Sequence, residues 1–373
     1  MILLILNKNT MTTLIITTKR KHMNKSKIAF AAATALLLTS AYSHAQTTVG
    51  GNMRIGLKGT KSANNAIASG TLFTKETQIN IANKGALNIA GVTYAAGFSI
   101  ENDGGDTGGI GTHFENNYID FINASTGTTF TFSSDHLKPS DVEFHDIILG
   151  PQNLGHATAF AAGLSTGIGS DTFYNKNIAG KGKQEGFGAG IIQEIGTFGK
   201  FNFIYQPDSG AVALGDTGAG SMTAGSNTNS FYDTSFRGSL GVKGLDVVVA
   251  MNKQDGQGTD KDIKFDTQGI KYNMGQFTVG LQRADGTYNV TGHTMKSKEL
   301  GLAYAATKDL SIGYSLIKVD DSTTSPEEKS QGITVGYSLG PVSVTAIAAK
   351  VDNALGVDAS DGKSFIVNLG AAF

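Results

Sequence analysis

The property that most constrains this chain is a period-two alternation of apolar and polar residues, repeated in segments of about ten residues. In Val49-Gly50-Gly51-Asn52-Met53-Arg54-Ile55-Gly56-Leu57-Lys58, Val, Met, Ile and Leu occupy odd positions, and Asn, Arg, Gly and Lys even ones. Successive side chains of a strand point to opposite faces, so each such segment has one greasy face and one polar face. The same dyad recurs in Phe201–Gln206, Leu310–Leu316, Ile333–Leu339 and Phe365–Phe373. A soluble sandwich would bury its greasy faces in one core and use strands of about five or six residues. Segments nearer ten suit a strand tilted across a bilayer.

Composition narrows the choice from another side. Glycine supplies 49 of 373 residues, with 5 Pro and no Cys. Scarce proline without a glycine period excludes collagen, and the apolar fraction of 40% is too high for a disordered tail. Absent cysteine removes any disulfide framework, thiolate metal site or cysteine nucleophile. The near-neutral net charge of −1 argues against nucleic-acid binding.

That charge is an average over unlike parts. From Met23, Lys25 and Lys27 precede an apolar run of 11 residues, Ile28 to Leu38, and then Ser43-His44-Ala45, a small-x-small cleavage site. Residues 23–45 are therefore expected to be a secretory signal peptide, since a membrane-spanning helix needs about 20 apolar residues. Residues 1–22 are expected to be an upstream extension, with translation starting at Met23. Residues 1–45 hold six of the 30 Lys and Arg and none of the 31 Asp and Glu, which leaves the remaining chain with an acidic excess of seven. An exported chain with no apolar run of 18 is either a soluble protein or a β-barrel of residues 46–373.

The connections favour the barrel. Lys243-Gly244, Gly275-Gln276, Thr307-Lys308-Asp309 and Gly340-Pro341 are tight, whereas polar stretches near 255–262, 288–294, 321–328 and 354–362 are longer, and 208–228 is rich in Gly, Ser, Ala and Thr. Short turns on one side and longer loops on the other mark an outer-membrane barrel. Strands are expected at 47–60, 71–83, 86–101, 113–123 and 127–134. Eleven more follow, at 184–195, 200–207, 229–243, 245–254, 262–274, 276–287, 295–306, 310–320, 328–339, 342–353 and 363–373. The fold class expected is thus all-β, a transmembrane antiparallel barrel of sixteen strands. Two further strands at 157–165 and 171–179 would make eighteen.

With the signal peptide, the opening Val49-Gly50-Gly51-Asn52-Met53-Arg54-Ile55-Gly56, the hairpin rhythm and a last strand ending in Phe373, the chain resembles a Gram-negative general porin of the proteobacterial type. The resemblance implies a homotrimer of sixteen-stranded barrels embedded in outer-membrane lipid and lipopolysaccharide, with the third extracellular loop folded inward. It also implies that Phe365, Val367, Leu369 and Phe373 form the signal read by the barrel-assembly machinery. Gly127–Ser134 lacks the Gly-Arg ending that many relatives carry before that loop.

A passive pore needs a polar lumen and charges at its narrowest point rather than a nucleophile. The segment Asp135–Asp146 carries Asp135, His136, Asp141, Glu143, His145 and Asp146 with a single Lys138. Placed after the fifth strand, it is expected to form an acidic constriction favouring cations; an ordinary solvated loop is the alternative. By alternation Arg54, Lys58, Arg237 and Lys271 share polar faces and are expected to form a basic lumen wall, because Arg or Lys at the lipid-facing midplane costs about 2–4 kcal/mol. Simple hydration in a wide channel is the bland alternative for them. His136, His145 and His156 stand nine and eleven residues apart, which matches no compact metal-ligand spacing. Neither metal nor cofactor is expected, nor catalysis. The function expected is passive diffusion of small hydrophilic solutes and ions; a channel with a saturable solute site and a non-conducting structural or adhesin barrel are the rivals.

Overall fold

The computed structural model describes residues 5–7, 10–12, 46–62, 70–87, 89, 91–105, 108–109, 112–134, 137, 187–207, 230–255, 262–287, 294–322, 326–353 and 361–373. The chain divides into Met1–Thr47 and Thr48–Phe373. In the first unit Ile5–Asn7 pairs antiparallel with Thr10–Thr12. The expected boundary between upstream extension and signal peptide lies outside the described residues.

The second unit is a closed barrel. Its long strands are β1 (Gln46–Ser62), β2 (Gly70–Ala86), β3 (Val92–Gly105), β4 (His113–Asn123), β5 (Thr128–Ser134), β6 (Phe187–Ile195), β7 (Gly199–Gln206) and β8 (Phe231–Gly238). They continue with β9 (Leu245–Gln254), β10 (Ile263–Met274), β11 (Phe277–Thr287), β12 (Thr294–Ala305), β13 (Leu310–Asp321), β14 (Glu328–Leu339), β15 (Val342–Asp352) and β16 (Gly362–Ala372). Each pairs with its sequence neighbours, and Gly108–Gly109 adds a two-residue extension to the ladder of β3. The sixteen strands expected from alternation are the sixteen long strands among the described residues. The optional pair at 157–165 and 171–179 lies outside them.

Closure is made by the ends of the chain. β16 runs antiparallel to β1 from Gly362 opposite Ser62 to Ala372 opposite Asn52. Gly51 N–H then donates to the Phe373 carbonyl at 2.8 Å, and Phe373 N–H donates back to the Gly51 carbonyl at 3.0 Å. A closed ladder leaves no strand edge with unpaired backbone groups, the condition for β-structure in hydrocarbon.

Seven short connections join strand ends on one side of the barrel, and eight longer ones, 135–186 and 207–230 among them, join the strand ends on the other. Gly275-Gln276 and Gly340-Pro341 are two-residue turns, with Met274 opposite Phe277 and Leu339 opposite Val342. Gly275 and Gly340 have φ of 70° and 65°, as the first central position of a type II′ hairpin requires. β8 stops at Gly238, short of the expected 243. Leu240 and Gly241 adopt φ of 50° and 76°, and the turn docks on its neighbour by Leu240 N–H donating to the Phe198 carbonyl at 2.9 Å. β3 starts at Val92 rather than 86, because β2 runs on to Ala86.

The faces are inverted relative to a soluble protein. Outward apolar side chains are exposed, for example Met251 at 58% and Leu281 at 51%, whereas inward Asp233, Ser235, Thr267 and Ser315 are buried. Among the described residues no helix is long and apolar enough to cross a membrane. Aromatic residues mark both ends of the outward face. Tyr205 and Tyr232 meet near the long connections with ring centroids 5.1 Å apart, and Phe277 stacks on Tyr304 near the short ones at 4.7 Å. Tyr272 and Tyr337 also lie near the short turns, while Tyr314 sits in mid-strand.

Candidate functional site

The inward face of the barrel is where polar groups converge. On β1 to β3 they form a chain across strands: Asn52 Nδ2 donates to Gln78 Oε1 at 3.2 Å, and Gln78 Nε2 donates to Glu101 Oε2 at 3.4 Å. Arg54 and Glu76 form an ion pair beside it. The next strands continue the pattern, with Thr131 Oγ1 donating to Asp120 Oδ1 at 2.7 Å.

Between β3 and β4 the register slips between Gly97 and Ser99. Gly97 faces Tyr118 and Ser99 faces Glu115, so Asn116 and Asn117 together oppose Phe98, a β-bulge. Asn116 adopts a φ of 53°, which Asn tolerates better than most residues. Its amide donates to Ser99 Oγ at 3.2 Å, and Ser99 Oγ donates to Asn80 Oδ1 at 2.6 Å. The bulge is thus anchored by the inward polar net, and alternation alone did not reveal it.

On the other wall Asp246 is a hub. Arg237 Nη2 donates to its Oδ2 at 2.9 Å, with Arg237 Nε 3.3 Å from each carboxylate oxygen, and Lys271 Nζ lies 3.1 Å from the same Oδ2. Two of the expected basic positions therefore meet on one carboxylate, and a third, Arg54, meets Glu76. Lys58 lies on β1 with its backbone opposite Ile366. Both acids escaped the sequence reading, although a signal existed. Glu76 continues the polar parity of Gln78 and Asn80, and Asp246 is the single charge at the head of Val247-Val248-Val249.

Carboxylates also line the half nearer the long connections. Asp233, Glu299 and Glu328 are buried on the inward face. Ser235 Oγ donates to Asp233 Oδ2 at 2.9 Å, and Ser330 Oγ donates to Glu328 Oε1 at 3.3 Å.

Asp135, His136, Asp141, Glu143, His145 and Asp146 lie outside the described residues, as do Lys138 and His156. Leu137, between them, is described and is buried. It clusters with Ile204 of β7 and Phe231 of β8. A β-carbon added at Gly190 of β6 would stand 2.7 Å from Leu137 Cδ2, and one at Gly188 would stand 3.1 Å from Cδ1. Gly188 and Gly190 pair with Ser133 and Thr131 and share their inward face, so two glycines in β6 open the slot that Leu137 fills. Sequence alternation did not identify Leu137 as a site residue; an isolated leucine amid charge was the available signal.

Phe365, Val367, Leu369 and Phe373 line the outward face of the closing strand and are exposed. Among the described residues no group of three or more His, Asp or Glu is placed to hold a metal ion.

Comparison with known proteins agrees with this architecture. No curated protein matches the chain in sequence. An anion-selective porin from Comamonas acidovorans superposes with a TM-score of 0.63 at 14% identity, covering 88% of this chain and 100% of that one. A multiply substituted mutant of Rh. blastica porin gives 0.59 at 17% identity, with 88% and 100% covered. A loop-deletion mutant of OmpT, an outer membrane protein of Vibrio cholerae, gives 0.56 at 13% identity, with 89% and 100% covered. At such identities the likeness speaks for the fold. The family model for Gram-negative porins matches residues 32–357, and the chain belongs to that family.

Proposed function

We propose that the barrel is a water-filled outer-membrane channel for passive diffusion of small hydrophilic solutes and ions, mildly selective for cations. The observation that carries this is the inversion of faces: apolar side chains outward, a hydrogen-bonded polar wall inward, and a backbone ladder closed on itself. Cation preference is supported by the inward carboxylates Glu101, Asp120, Asp233, Glu299 and Glu328, and by the pairing of Arg54 with Glu76 and of Arg237 and Lys271 with Asp246. The anion-selective Comamonas acidovorans porin shows that a similar fold can carry the opposite preference. Selectivity is therefore a matter of local charge.

The segment holding Asp135, His136, Asp141, Glu143, His145 and Asp146 is proposed to fold into the lumen as a constriction. Support comes from Leu137, which is buried against inward Gly188 and Gly190. Residues 23–45 are proposed to direct export, and the outward apolar series of β16 ending in Phe373 to be read during barrel assembly. A trimer is proposed from the resemblance to general porins.

Planar-bilayer recording under a salt gradient tests the channel. Conductance steps grouped in threes, with a reversal potential of cationic sign, are expected. Asp141→Asn with Glu143→Gln should move that potential toward zero by several millivolts. Anion preference in the unmodified channel, or no change in the double variant, would refute the acidic constriction.

A further inference from the structure

From β11 to β16 the wall divides its charge between its two faces. Every Lys and Arg of these strands takes the outward parity, where Arg283, Lys298, Lys318 and Lys329 stand opposite one another. The inward face carries Glu299 on β12 and Glu328 on β14, 5% and 1% exposed, and no Lys or Arg among the described residues.

An aliphatic strip lies between the two acids. Ile317 of β13 stands opposite Glu299 on one side and Ser330 on the other, and Val319 stands opposite Ser297 and Glu328. Both face inward and are buried. A polar lumen gives no reason for two branched aliphatic side chains at successive inward positions between carboxylates. Ser330 Oγ donates to Glu328 Oε1 at 3.3 Å, which draws that carboxylate along its strand toward the level of Ile317. One step nearer the short turns, Gly301, Ser315 and Gly332 stand opposite one another, so little side-chain bulk crowds the strip.

A further group points to the kind of solute. Gln282 of β11 is directly opposite Glu299, faces inward and is buried, and its Oε1 has no hydrogen-bond partner among the described residues. A buried acceptor left without a donor is costly, and an ionised carboxylate beside it cannot supply one. An amide oxygen next to a carboxylate suits a group with several N–H donors in one plane. Guanidinium is that group: two donors reach the Glu299 carboxylate and another reaches Gln282.

Spacing sets the rest. Neighbouring strands lie about 4.8 Å apart and a two-residue step rises about 6.7 Å, which puts the Cα atoms of Glu299 and Glu328 about 12 Å apart. A charge-assisted bond of about 2.8 Å at each end leaves about 6 Å between two cationic groups, the length of a short methylene stem. Ile317 and Val319 flank that line. Inward side chains near the short turns, Ser311, Ser338 and Ser343, are exposed, whereas the strip is enclosed. Enclosure strengthens each charge pair and slows exchange of the occupant. A solute carboxylate finds no cation on this wall to meet it.

We infer that this wall is a saturable site for a linear aliphatic dication with a guanidinium head and an ammonium tail. The guanidinium meets Glu299 and Gln282, the stem lies on Ile317 and Val319, and the ammonium meets Glu328. This rests on the barrel being a water-filled channel.

The test adds agmatine to the full chain in a planar bilayer, with putrescine and arginine as comparisons, and counts interruptions of the single-channel current. Agmatine should give resolved interruptions that saturate with concentration; putrescine should need several-fold more, and arginine, which brings a carboxylate, more still. Glu299→Gln with Glu328→Gln should raise the half-blocking concentration of agmatine roughly tenfold or more, as loss of charge-assisted bonds requires. Gln282→Leu should raise it several-fold for agmatine and leave putrescine unmoved, a split that a merely structural role for Gln282 would not give. Heat-modifiable gel migration checks that each variant is a folded barrel, and Glu299→Gln alone reads the same loss where the double variant does not fold. Interruptions that never saturate, equal potency of the three solutes, or a block that survives the double variant would overturn the proposal. Calorimetric titration of agmatine into the detergent-solubilised chain reads binding without current. Binding that Glu299→Gln abolishes, in a chain that never conducts, would refute the channel and leave the site standing; conduction without saturable block would refute the site and leave the channel.

Discussion

Asp246 shows how much one side chain can decide. Its carboxylate holds Arg237 and Lys271 together on the inward wall, so removing its charge leaves two cations facing each other at partly buried positions. Hydrogen bonds to charged groups contribute about 1.5–3 kcal/mol each, and an uncompensated neighbouring charge adds to the loss. Asp246→Asn is expected to lower stability by about 2 kcal/mol in urea unfolding of the detergent-solubilised barrel. It should also shift the reversal potential toward anions. Lys271→Met should cost less, because Arg237 still satisfies Asp246. Arg237 and Lys271 were legible as inward cations because parity decides the face of a strand residue. Their shared acid was not, because alternation says nothing about which inward residue of the next strand stands alongside.

Strand placement was the most legible level, because side-chain direction in a strand follows from local geometry alone. The tight turns were legible for the same reason. Gly275 has φ of 70° and no atom within 4 Å of an added β-carbon, so its requirement is purely conformational. Gly275→Ala should destabilise the β10–β11 hairpin by about 1 kcal/mol, the scale of the left-handed penalty for an L-residue, read as an earlier urea midpoint with unchanged conductance. Two features resisted. The early end of β8 depends on a turn that docks on the Phe198 carbonyl of its neighbour. The bulge at Asn116 depends on its inward bond to Ser99, 17 positions away in the chain, and on the bond from Ser99 to Asn80, a further 19 positions away. The alternation of Phe114 to Phe121 breaks at Asn116-Asn117, a pair that reads equally well as lumen-facing polarity.

For the whole molecule, the inverted faces set what substitutions mean. Ile333, 52% exposed on the outward face of β14, should accept Arg at a cost of roughly 2–4 kcal/mol, as for a cation at the bilayer midplane. Ser311, inward on β13 and exposed, should accept Arg with little loss of stability and instead reduce conductance and cation preference. Refolding yield into vesicles distinguishes the first effect, and bilayer recording the second. Similar effects at both positions would contradict the assignment of faces.

The sequence by itself determined the class of fold, the placement of the long strands and the face on which each strand residue lies. A period of two, segments near ten residues and unequal connections are local properties that survive without knowledge of neighbours. Tertiary structure alone decided the register of one strand against the next. Register brings Asp246 to Arg237 and Lys271, seats Leu137 on Gly188 and Gly190, and lines Arg283, Lys298, Lys318 and Lys329 into one row. The physical reason is that the face of a strand residue follows from its own backbone, whereas its partners follow from closure of the whole ring, in which each strand's offset is set by its turns, its bulges and the final pairing of β16 with β1.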